Sequence, residues 1–182
     1  MKTTNEKLEE IRQYIEDILI YDKYMKLKEF NHHWEYSIFD HCVNVAYHSF
    51  KLAKKLGLDY VSVVRGGMLH DFFLYNWKTD SPKDQWHGLV HPTIAYNNAI
   101  EKFELNKIEK DIILKHMFPL TLRPPKYFET IIVCMIDKIC ATIETFNALN
   151  FRFKNFLIQD NTKINIPQFI YSFMYIFLIF KI

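Results

Sequence analysis

Glycine is scarce in this chain of 182 residues, which has four glycines, Gly57, Gly66, Gly67 and Gly88. Phosphate-binding loops and dinucleotide-binding turns need several closely spaced glycines, because the backbone must bend sharply and approach the phosphate. These four residues do not have that spacing. The sequence therefore excludes both of these glycine-rich classes of nucleotide-binding protein.

The chain also has few cysteines and a small net charge. The three cysteines are odd in number and lack the paired spacing of a zinc site. We expect them to be reduced core residues, which is typical of a cytoplasmic protein, and residues 1–7 are too polar for a signal peptide. A formal net charge of +2 gives no electrostatic reason to expect a stable nucleic-acid partner.

Apolar residues recur at helical spacing along most of the chain, and 49% of the residues are hydrophobic. The length suits one domain with a substantial core. We predict an all-α, single-domain bundle of about six to seven helices. The expected helices cover about 5–28, 40–57, 60–76, 106–116 and 124–149, and a further helix begins at Pro92 with His91 as its N-cap.

The C-terminal segment has a different composition from the rest. We divide the chain into a helical domain, 1–150, and an apolar tail, 151–182. Within the tail, residues 169–180 are almost wholly apolar and aromatic. A helix of that length would extend only ~18 Å, whereas a bilayer core needs ~20 apolar residues. We expect a packed or dimer-forming helix, with a membrane-surface anchor as the alternative.

Histidine and aspartate residues recur within the apolar segments. His70 and Asp71 are adjacent in an apolar stretch, and Asp137 lies in a helix that is apolar nearly all round. Burying an unpaired carboxylate costs several kcal/mol, so these side chains need a cation or hydrogen-bond partners. Imidazole and carboxylate groups together suit hard divalent ions. The ordered set of candidate metal ligands is His41, His70, Asp71, His91, His116 and Asp137.

Several candidates have a second interpretation. Asp137 could form a salt bridge with a basic neighbour such as Lys138, and His116 could interact with the dipole of the helix that it ends. His87 and His91 compete for one ligand position, and we favour His91 because it lies at a helix start. His87 lies in the polar loop 77–88, where it could be a ligand, a proton donor or a surface residue.

The positions of His41, the His70-Asp71 pair and Asp137 resemble the HD-domain superfamily of metal-dependent phosphohydrolases. The resemblance covers about 36–145. In that superfamily these four residues form the minimal site for one metal ion. The ordered motif, with its helical contexts, is specific for the superfamily but does not identify a substrate.

His91 and His116 look like the second-metal ligands of binuclear branches of the superfamily. Such branches include the bacterial diadenosine tetraphosphate hydrolases and the cyclic-di-GMP phosphodiesterases. The chain lacks the Gly-Tyr-Pro element of the latter, and Phe72-Phe73 follow the His-Asp pair where those enzymes often have Ile-Gly-Lys. These differences argue against the cyclic-di-GMP branch.

The resemblance implies an all-helical bundle that binds one or two divalent ions, with iron, manganese, nickel, magnesium and cobalt all open. Asp71 would bridge two ions. His41, His70 and Asp137 would complete one coordination shell, and His91 and His116 the other. The implied reaction is hydrolysis of a phosphomonoester or phosphodiester, in which a metal-bridged hydroxide attacks phosphorus.

Roles for further residues follow from this expected reaction. The predicted catalytic residues are Asp71, Arg65, His87 and Lys138, and the predicted substrate-binding residues are Lys115, Arg123 and Lys126. The expected partner is a small phosphate ester, above all a nucleotide, and a homodimer is a further possibility. Two alternatives remain open: a diiron oxygenase with the same ligand set, and a non-catalytic module that binds a metal or a nucleotide.

Overall fold

The computed structural model describes residues 2–33, 36–77, 79–80 and 86–159. The chain divides into two compact units, Met1–Phe146 and Asn147–Ile182. The described part of the second unit is the end of the last helix, and the apolar run expected at 169–180 lies outside the described residues. The expected division into 1–150 and 151–182 stays a prediction.

The described residues form eight α-helices, and this confirms the all-α prediction. Two single turns of 3₁₀-helix, at Arg12–Tyr14 and Lys26–Glu29, lie near the N-terminus, and two short antiparallel strands precede α4. The strands are β1 (Asn31–His33) and β2 (Tyr36–Ser37). The helices are α1 (Thr4–Ile11), α2 (Glu16–Leu19), α3 (Asp22–Met25), α4 (Ile38–Leu56), α5 (Tyr60–Leu69), α6 (His87–Ile100), α7 (Lys107–Lys115) and α8 (Phe128–Gln159).

The N-terminal segment is broken where the sequence predicts one continuous helix over 5–28. The backbone leaves helical geometry at Ile15, whose φ is −135°. Ile11, Ile15 and Ile18 are nevertheless fully buried. Arg65 Nη1 donates to the carbonyl oxygen of Tyr14 at 3.1 Å, next to the break. The three isoleucines thus keep a helical spacing in the core, whereas the interruptions of the backbone were not predicted.

Capping residues explain the ends of α4. Ser37 is its N-cap, and the Ser37 hydroxyl and Asp40 carboxylate form a reciprocal capping box. The helix therefore begins at Ile38, two residues before Asp40, where we had expected it to begin. Gly57 ends it as predicted, in the left-handed conformation with φ 69° that favours glycine.

Helices α4 and α5 approach each other closely at Gly67. A Cβ atom added at Gly67 would lie 2.9 Å from the Cα atom of Ala46. The absence of a side chain there allows the two backbones to pack directly. This close packing brings His41, on α4, and His70, just after α5, to a ring separation of 5.5 Å.

The segment around His70 and Asp71 is not the middle of a helix. Helix α5 ends at Leu69, although the sequence predicts helix over 60–76. The chain turns at Asp71, where Phe73 N–H donates to the Asp71 carbonyl oxygen at 2.8 Å. Phe72 and Phe73 are fully buried. The apolar run continues as core residues, and the turn directs the Asp71 carboxylate away from α5.

Helix α6 begins earlier than expected. Its N-cap is Trp86 and its first residue is His87, so His91 is inside the helix and does not cap it. Pro92 also lies inside the helix, where its missing N–H removes one backbone hydrogen bond. The four-residue spacing places His87 and His91 on one helix face, and their rings stack at 4.5 Å.

Helix α7 follows the prediction closely. Asn106 is its N-cap, with Glu109 completing a capping box, and His116 is its C-cap. Helix α8 begins at Phe128, after the two prolines at which we had expected it to begin. Within the described ranges, no helix combines the length and the apolar character needed to cross a bilayer.

Candidate metal centre

Five helices bring all six predicted metal ligands into one buried centre. His41 lies on α4, His70 and Asp71 follow α5, and His91 lies on α6. His116 ends α7, and Asp137 lies on α8. The most exposed of the six, Asp137, is only 7% exposed.

The Asp71 carboxylate lies at the middle of this centre. Its Oδ2 atom is 3.9 Å from His41 Nε2 and 3.5 Å from His70 Nε2. Its Oδ1 atom is 3.2 Å from His91 Nε2 and 3.4 Å from His116 Nε2. The two oxygens thus face two different pairs of imidazoles. His41, His70 and Asp71 form one group able to hold a metal ion, and Asp71, His91 and His116 form another.

Asp137 adds a second carboxylate to the first of these groups. Its Oδ1 atom lies 3.1 Å from His41 Nε2 and 3.7 Å from His70 Nε2. Burial raises the pKa of Asp137, but its hydrogen bonds to His41 and His70 outweigh this effect and hold the pKa well below its ordinary value. Asp137 is therefore an ionised carboxylate directed at the same nitrogens as Asp71.

Backbone carbonyls orient three of the four imidazoles. A carbonyl oxygen can only accept a hydrogen bond, so each Nδ1 that contacts one carries the proton. When such a ring is neutral, its Nε2 atom directs a lone pair into the centre, as metal-binding histidines do. The three contacts are His70 Nδ1 to Gly67 O at 2.8 Å, His91 Nδ1 to His87 O at 3.0 Å, and His116 Nδ1 to Ile113 O at 2.9 Å.

The Nε2 atoms of His91 and His116 lie only 2.8 Å apart. Two lone pairs at this distance repel each other unless a proton or a metal cation lies between them. Burial, reinforced by the neighbouring His70 and His91, lowers the pKa of His116 to about 4 despite the opposing effect of Asp71. His116 is therefore neutral at pH 7 and is available as a metal ligand.

The donor atoms of the centre fit a divalent metal ion. His70 Nε2 is fully buried and has no hydrogen-bond partner among the described residues. Asp71 Oδ2 lies 3.5 Å and Asp137 Oδ1 lies 3.7 Å from it, which is too far for a good hydrogen bond. Burial lowers the pKa of His70, but the charge of Asp71 and the interaction with Asp137 raise it well above its ordinary value overall. The carboxylates thus require positive charge at this place, and a metal ion would supply it.

Sequence reasoning missed Glu144, which orients the fourth imidazole. Its Oε2 atom accepts a hydrogen bond from His41 Nδ1 at 2.8 Å, and Glu144 is only 2% exposed. Burial lowers the pKa of His41, but Asp137 and Glu144 outweigh it and raise the pKa to about 10. Glu144 follows Asp137 by seven residues, which is two helical turns on one face. That spacing was the signal that could have identified it.

A cavity of about 570 Å³ opens onto the centre. Asp71, His91, His116 and Asp137 contribute to its lining, together with apolar side chains from the segment that follows α7. The cavity is large enough for a small organic molecule. The apolar lining residues are Met117, Pro119 and Leu120, together with Ala141 on α8.

His87 lies in the wall of this cavity, on α6 and not in the loop where we expected it. The Tyr75 hydroxyl lies 2.9 Å from His87 Nδ1, and the rings of Trp77 and His91 stack against His87. His91 belongs to one of the two groups that could hold a metal ion, and His87 belongs to neither. The proton-donor role of His87 stays a prediction.

Among the predicted cationic residues, Lys138 lines the cavity. Its ammonium group donates to the carbonyl oxygens of His116 at 2.9 Å and Cys134 at 3.1 Å. The alternative salt bridge between Lys138 and Asp137 is not present among the described residues, because Asp137 contacts His41 and His70 instead.

The described lining of the cavity does not include Arg65 or the three other cationic candidates. Arg65 forms a bidentate ion pair with Asp17, at 2.7 and 2.9 Å, and contacts Glu109 at 3.0 Å. Lys115 is paired with Asp111 at 2.7 Å. Arg123 and Lys126 are exposed residues between α7 and α8. The structure thus brings together the predicted metal ligands but not these basic residues.

Comparison with known proteins agrees with this geometry. The family profile described as HD domain matches residues 38–142, more than half of the chain, and the match spans all six buried ligands. No curated protein and no solved structure matches the chain. On the family match and the shared-carboxylate centre together, this chain belongs to the HD-domain family.

Proposed function

We propose that the protein is a metal-dependent phosphohydrolase that cleaves a phosphomonoester or phosphodiester bond in a small molecule. The observation that carries the proposal is the position of Asp71, whose two carboxylate oxygens face two separate pairs of imidazole nitrogens. One carboxylate shared between two ligand groups is suited to two neighbouring divalent ions. Membership of the HD-domain family, which consists largely of metal-dependent phosphohydrolases, supports the same reaction class.

The residues of the centre would divide between two ions. His41, His70 and Asp137 would hold one, His91 and His116 would hold the other, and Asp71 would contact both. Bound divalent ions supply Lewis acidity, which activates water and neutralises the charge of a phosphate group. A mixed nitrogen and oxygen donor set suits iron, manganese, nickel or cobalt, and magnesium would favour the oxygens.

The other residues of the cavity would bind and orient the substrate. Lys138 brings an ammonium group to the cavity beside Asp137, where it can contact a phosphate oxygen. His87 stacks on His91 in the wall of the cavity, and it would donate a proton to the departing oxygen. The apolar side chains around the cavity exclude water and so strengthen these polar contacts.

A nucleotide is the substrate that we favour. Trp77 lines the cavity, and its indole ring stacks on His87 at 5.5 Å with an interplanar angle of 26°, so Trp77 and not the covered His87 ring is the candidate to contact a base. Aromatic faces next to a phosphate-binding centre can stack against a nucleobase, which contributes ~1–3 kcal/mol per base. The proposed partner is thus a small phosphate ester with an aromatic group.

Elemental analysis and a hydrolysis screen on one preparation test the proposed function. The screen contains bis(p-nitrophenyl) phosphate, nucleotides and dinucleoside polyphosphates, with added manganese. We expect two metal ions per chain and release of phosphate or nucleotide, and we expect Asp71→Ala to lose both. Asp22→Ala is the matched control, because it removes an exposed carboxylate from the first turn of α3.

Other results would reject the proposal in different ways. Full turnover by the Asp71→Ala variant would show that the centre is not the catalytic site. Two tightly bound irons with oxygen consumption and no hydrolysis would identify an oxygenase. Nucleotide binding without turnover at saturating manganese would identify a binding module.

A further inference from the structure

We propose that Lys7, on α1, is a positioning residue for the metal ligand His41 and acts through Asn44 and Glu144. Lys7 Nζ donates to Asn44 Oδ1 at 2.7 Å, and Asn44 Nδ2 donates to Glu144 Oε1 at 3.0 Å. His41 Nδ1 donates to Glu144 Oε2 at 2.8 Å. A continuous chain of three hydrogen bonds thus joins the N-terminal helix to one imidazole of the centre.

Each group in this chain has only one possible role. An ammonium group can only donate, so the Asn44 side chain must accept with its oxygen and donate with its nitrogen. The Glu144 carboxylate accepts hydrogen bonds from Asn44 and from His41, because an ionised carboxylate has no proton to donate. His41 Nδ1 must therefore carry a proton, which leaves Nε2, on the side of the two aspartates, as the nitrogen that can bind a metal ion. Lys7 in this way fixes an amide orientation that would otherwise be free to reverse.

Lys7 is a buried lysine, and burying an ammonium group costs free energy unless a partner compensates its charge. Lys7 is only 4% exposed, and lysine is almost never buried without a partner. Burial lowers the pKa of Lys7, while Cys140 and Glu144 oppose that effect. Its direct partner is the neutral Asn44 amide and not a carboxylate. The positive charge of Lys7 therefore compensates the negative charge of Glu144 through the intervening Asn44 amide.

The hydrogen-bond chain that begins at Lys7 reaches only one of the two ligand groups. His41 belongs to the group that includes His70 and Asp137, whereas backbone carbonyls orient His91 and His116. Those carbonyls belong to α6 and α7 and do not depend on Lys7. Loss of the Lys7 ammonium should therefore weaken metal binding at the His41 group and leave the other group unchanged.

This inference rests on the metal centre of the proposed function, and its test measures metal binding without turnover. The full chain is stripped of metal and titrated with Co²⁺ or Mn²⁺, both as the wild type and in a His116→Ala background that retains the His41 group. We expect Lys7→Met to weaken binding at the His41 group about tenfold, the lower end of the loss for an outer partner of a ligand. The Co²⁺ absorption band of that group should also shift.

Two further variants make the test specific. Lys51→Met is the matched control, because Lys51 is an exposed lysine on α4 that lies 3.8 Å from Glu10. Asn44→Leu keeps the approximate size of the side chain but removes the N–H that Glu144 accepts without adding a charge, so it should weaken the same group as Lys7→Met. In the double variant the two losses should not add, because both break one chain. Asn44→Leu also serves as the test if Lys7→Met does not fold.

The outcomes separate this inference from the proposed function. Equal weakening of both ligand groups, or a lower melting temperature of the metal-free protein with unchanged affinity and absorption band, would assign Lys7 a structural role only. Unchanged binding in both variants would overturn the inference while leaving the proposed function intact. A wild type that binds no metal would overturn both.

Discussion

At the scale of single residues, the centre is defined by hydrogen bonds that leave each imidazole one direction in which to bind. Three Nδ1 atoms donate to backbone carbonyls and the fourth donates to Glu144. The sequence identified the inner residues because a His-Asp pair in an apolar run requires a cation. It did not identify Glu144, because its contact with His41 joins α8 to α4 and becomes apparent only once these helices are packed.

Glu144 should contribute to metal affinity through His41. We expect Glu144→Ala to weaken metal binding at the His41 group about 10–100-fold, since the imidazole loses the acceptor that holds its tautomer. Glu144→Gln should retain more affinity, because an amide oxygen can still accept from Nδ1. Titration of the metal-free protein with Mn²⁺ checks this order, and equal affinities for the two variants would contradict it.

His116 should be required for only one of the two ions. Its Nε2 atom contacts His91 and Asp71, and neither His41 nor Asp137 belongs to its group. We expect His116→Ala to bind one metal ion per chain and to remain folded. Elemental analysis together with circular dichroism checks both parts. Two ions per chain would show that another residue, such as His87, completes the second group.

At the scale of secondary-structure elements, caps and glycines position the ligands. Ser37, Asn106 and Gly57 set helix ends that bring His41 and His116 to the centre. Their capping signals are local, so the sequence indicated the C-terminal end of α4 and both ends of α7. The break at Ile15 and the end of α5 before His70 depend on contacts between distant residues, which helical periodicity does not reveal.

Gly67 should be needed for the approach of α4 to α5. A Cβ atom there would lie 2.9 Å from the backbone of Ala46, and backbone atoms cannot turn aside as a side chain can. We expect Gly67→Ala to lower the free energy of unfolding by about 1–3 kcal/mol and to weaken metal binding, since His41 and His70 would separate. Urea denaturation and metal titration measure the two effects.

Gly57→Ala provides the matched control for this substitution. Gly57 has a φ of 69°, but no atom lies within 4 Å of an added Cβ. The variant should lose about 1 kcal/mol from backbone strain alone and keep the metal affinity of the wild type. Weakened metal binding in Gly57→Ala as well would show that affinity follows global stability and not the α4–α5 distance.

Asp111 should make the connection between α7 and α8 sensitive to acid. Burial raises the pKa of Asp111, but Lys115, Lys126 N–H and Thr130 donate to it and lower the pKa overall. A carboxyl whose pKa is lower in the folded state stabilises the fold above its ordinary pKa and loses that contribution as the pH falls through its folded value.

Asp111→Asn tests this contribution. The variant should be less stable than the wild type by about 1–2 kcal/mol at pH 7, the usual scale for hydrogen bonds to a charged group. The difference should disappear below the folded pKa of Asp111, where the wild-type carboxyl is also neutral. Urea denaturation from pH 7 down to pH 2 measures it, with Asp22→Asn as an exposed control, and a difference that does not shrink as the pH falls below the ordinary pKa of an aspartate would refute it.

At the scale of the whole molecule, the sequence predicted the class of fold and the composition of the centre better than its surroundings. Each of the six ligands carries its own signal, which is a titratable group in an apolar setting. Arg65 carries no such signal, because its partner, Asp17, is apparent only once the helices are packed. Lys115 differs, because Asp111 lies four residues before it on α7, a spacing that the sequence already shows. Electrostatic pairing between distant elements is therefore the information that a single sequence lacks.

Metal binding should be linked to the stability of the first unit as a whole. Ions that bind the folded state stabilise it by about 2.7 kcal/mol per site when free metal is at 100 times the dissociation constant. We expect a chelator to lower the melting temperature of the wild type by several degrees and to have little effect on Asp71→Ala. An identical melting temperature of the wild type with and without chelator would argue against a metal that binds the native state.

The order of the ligands along the chain has a consequence for protein synthesis. His91 and His116 are made soon after Asp71, so the nascent polypeptide contains one complete ligand group while α8 is still untranslated. The other group gains its second carboxylate only when the ribosome has passed Asp137, and the support of His41 waits for Glu144. The His41 group would thus reach its full set of supporting carboxylates later than the other group reaches its own ligands, because Asp137 and Glu144 both lie on α8.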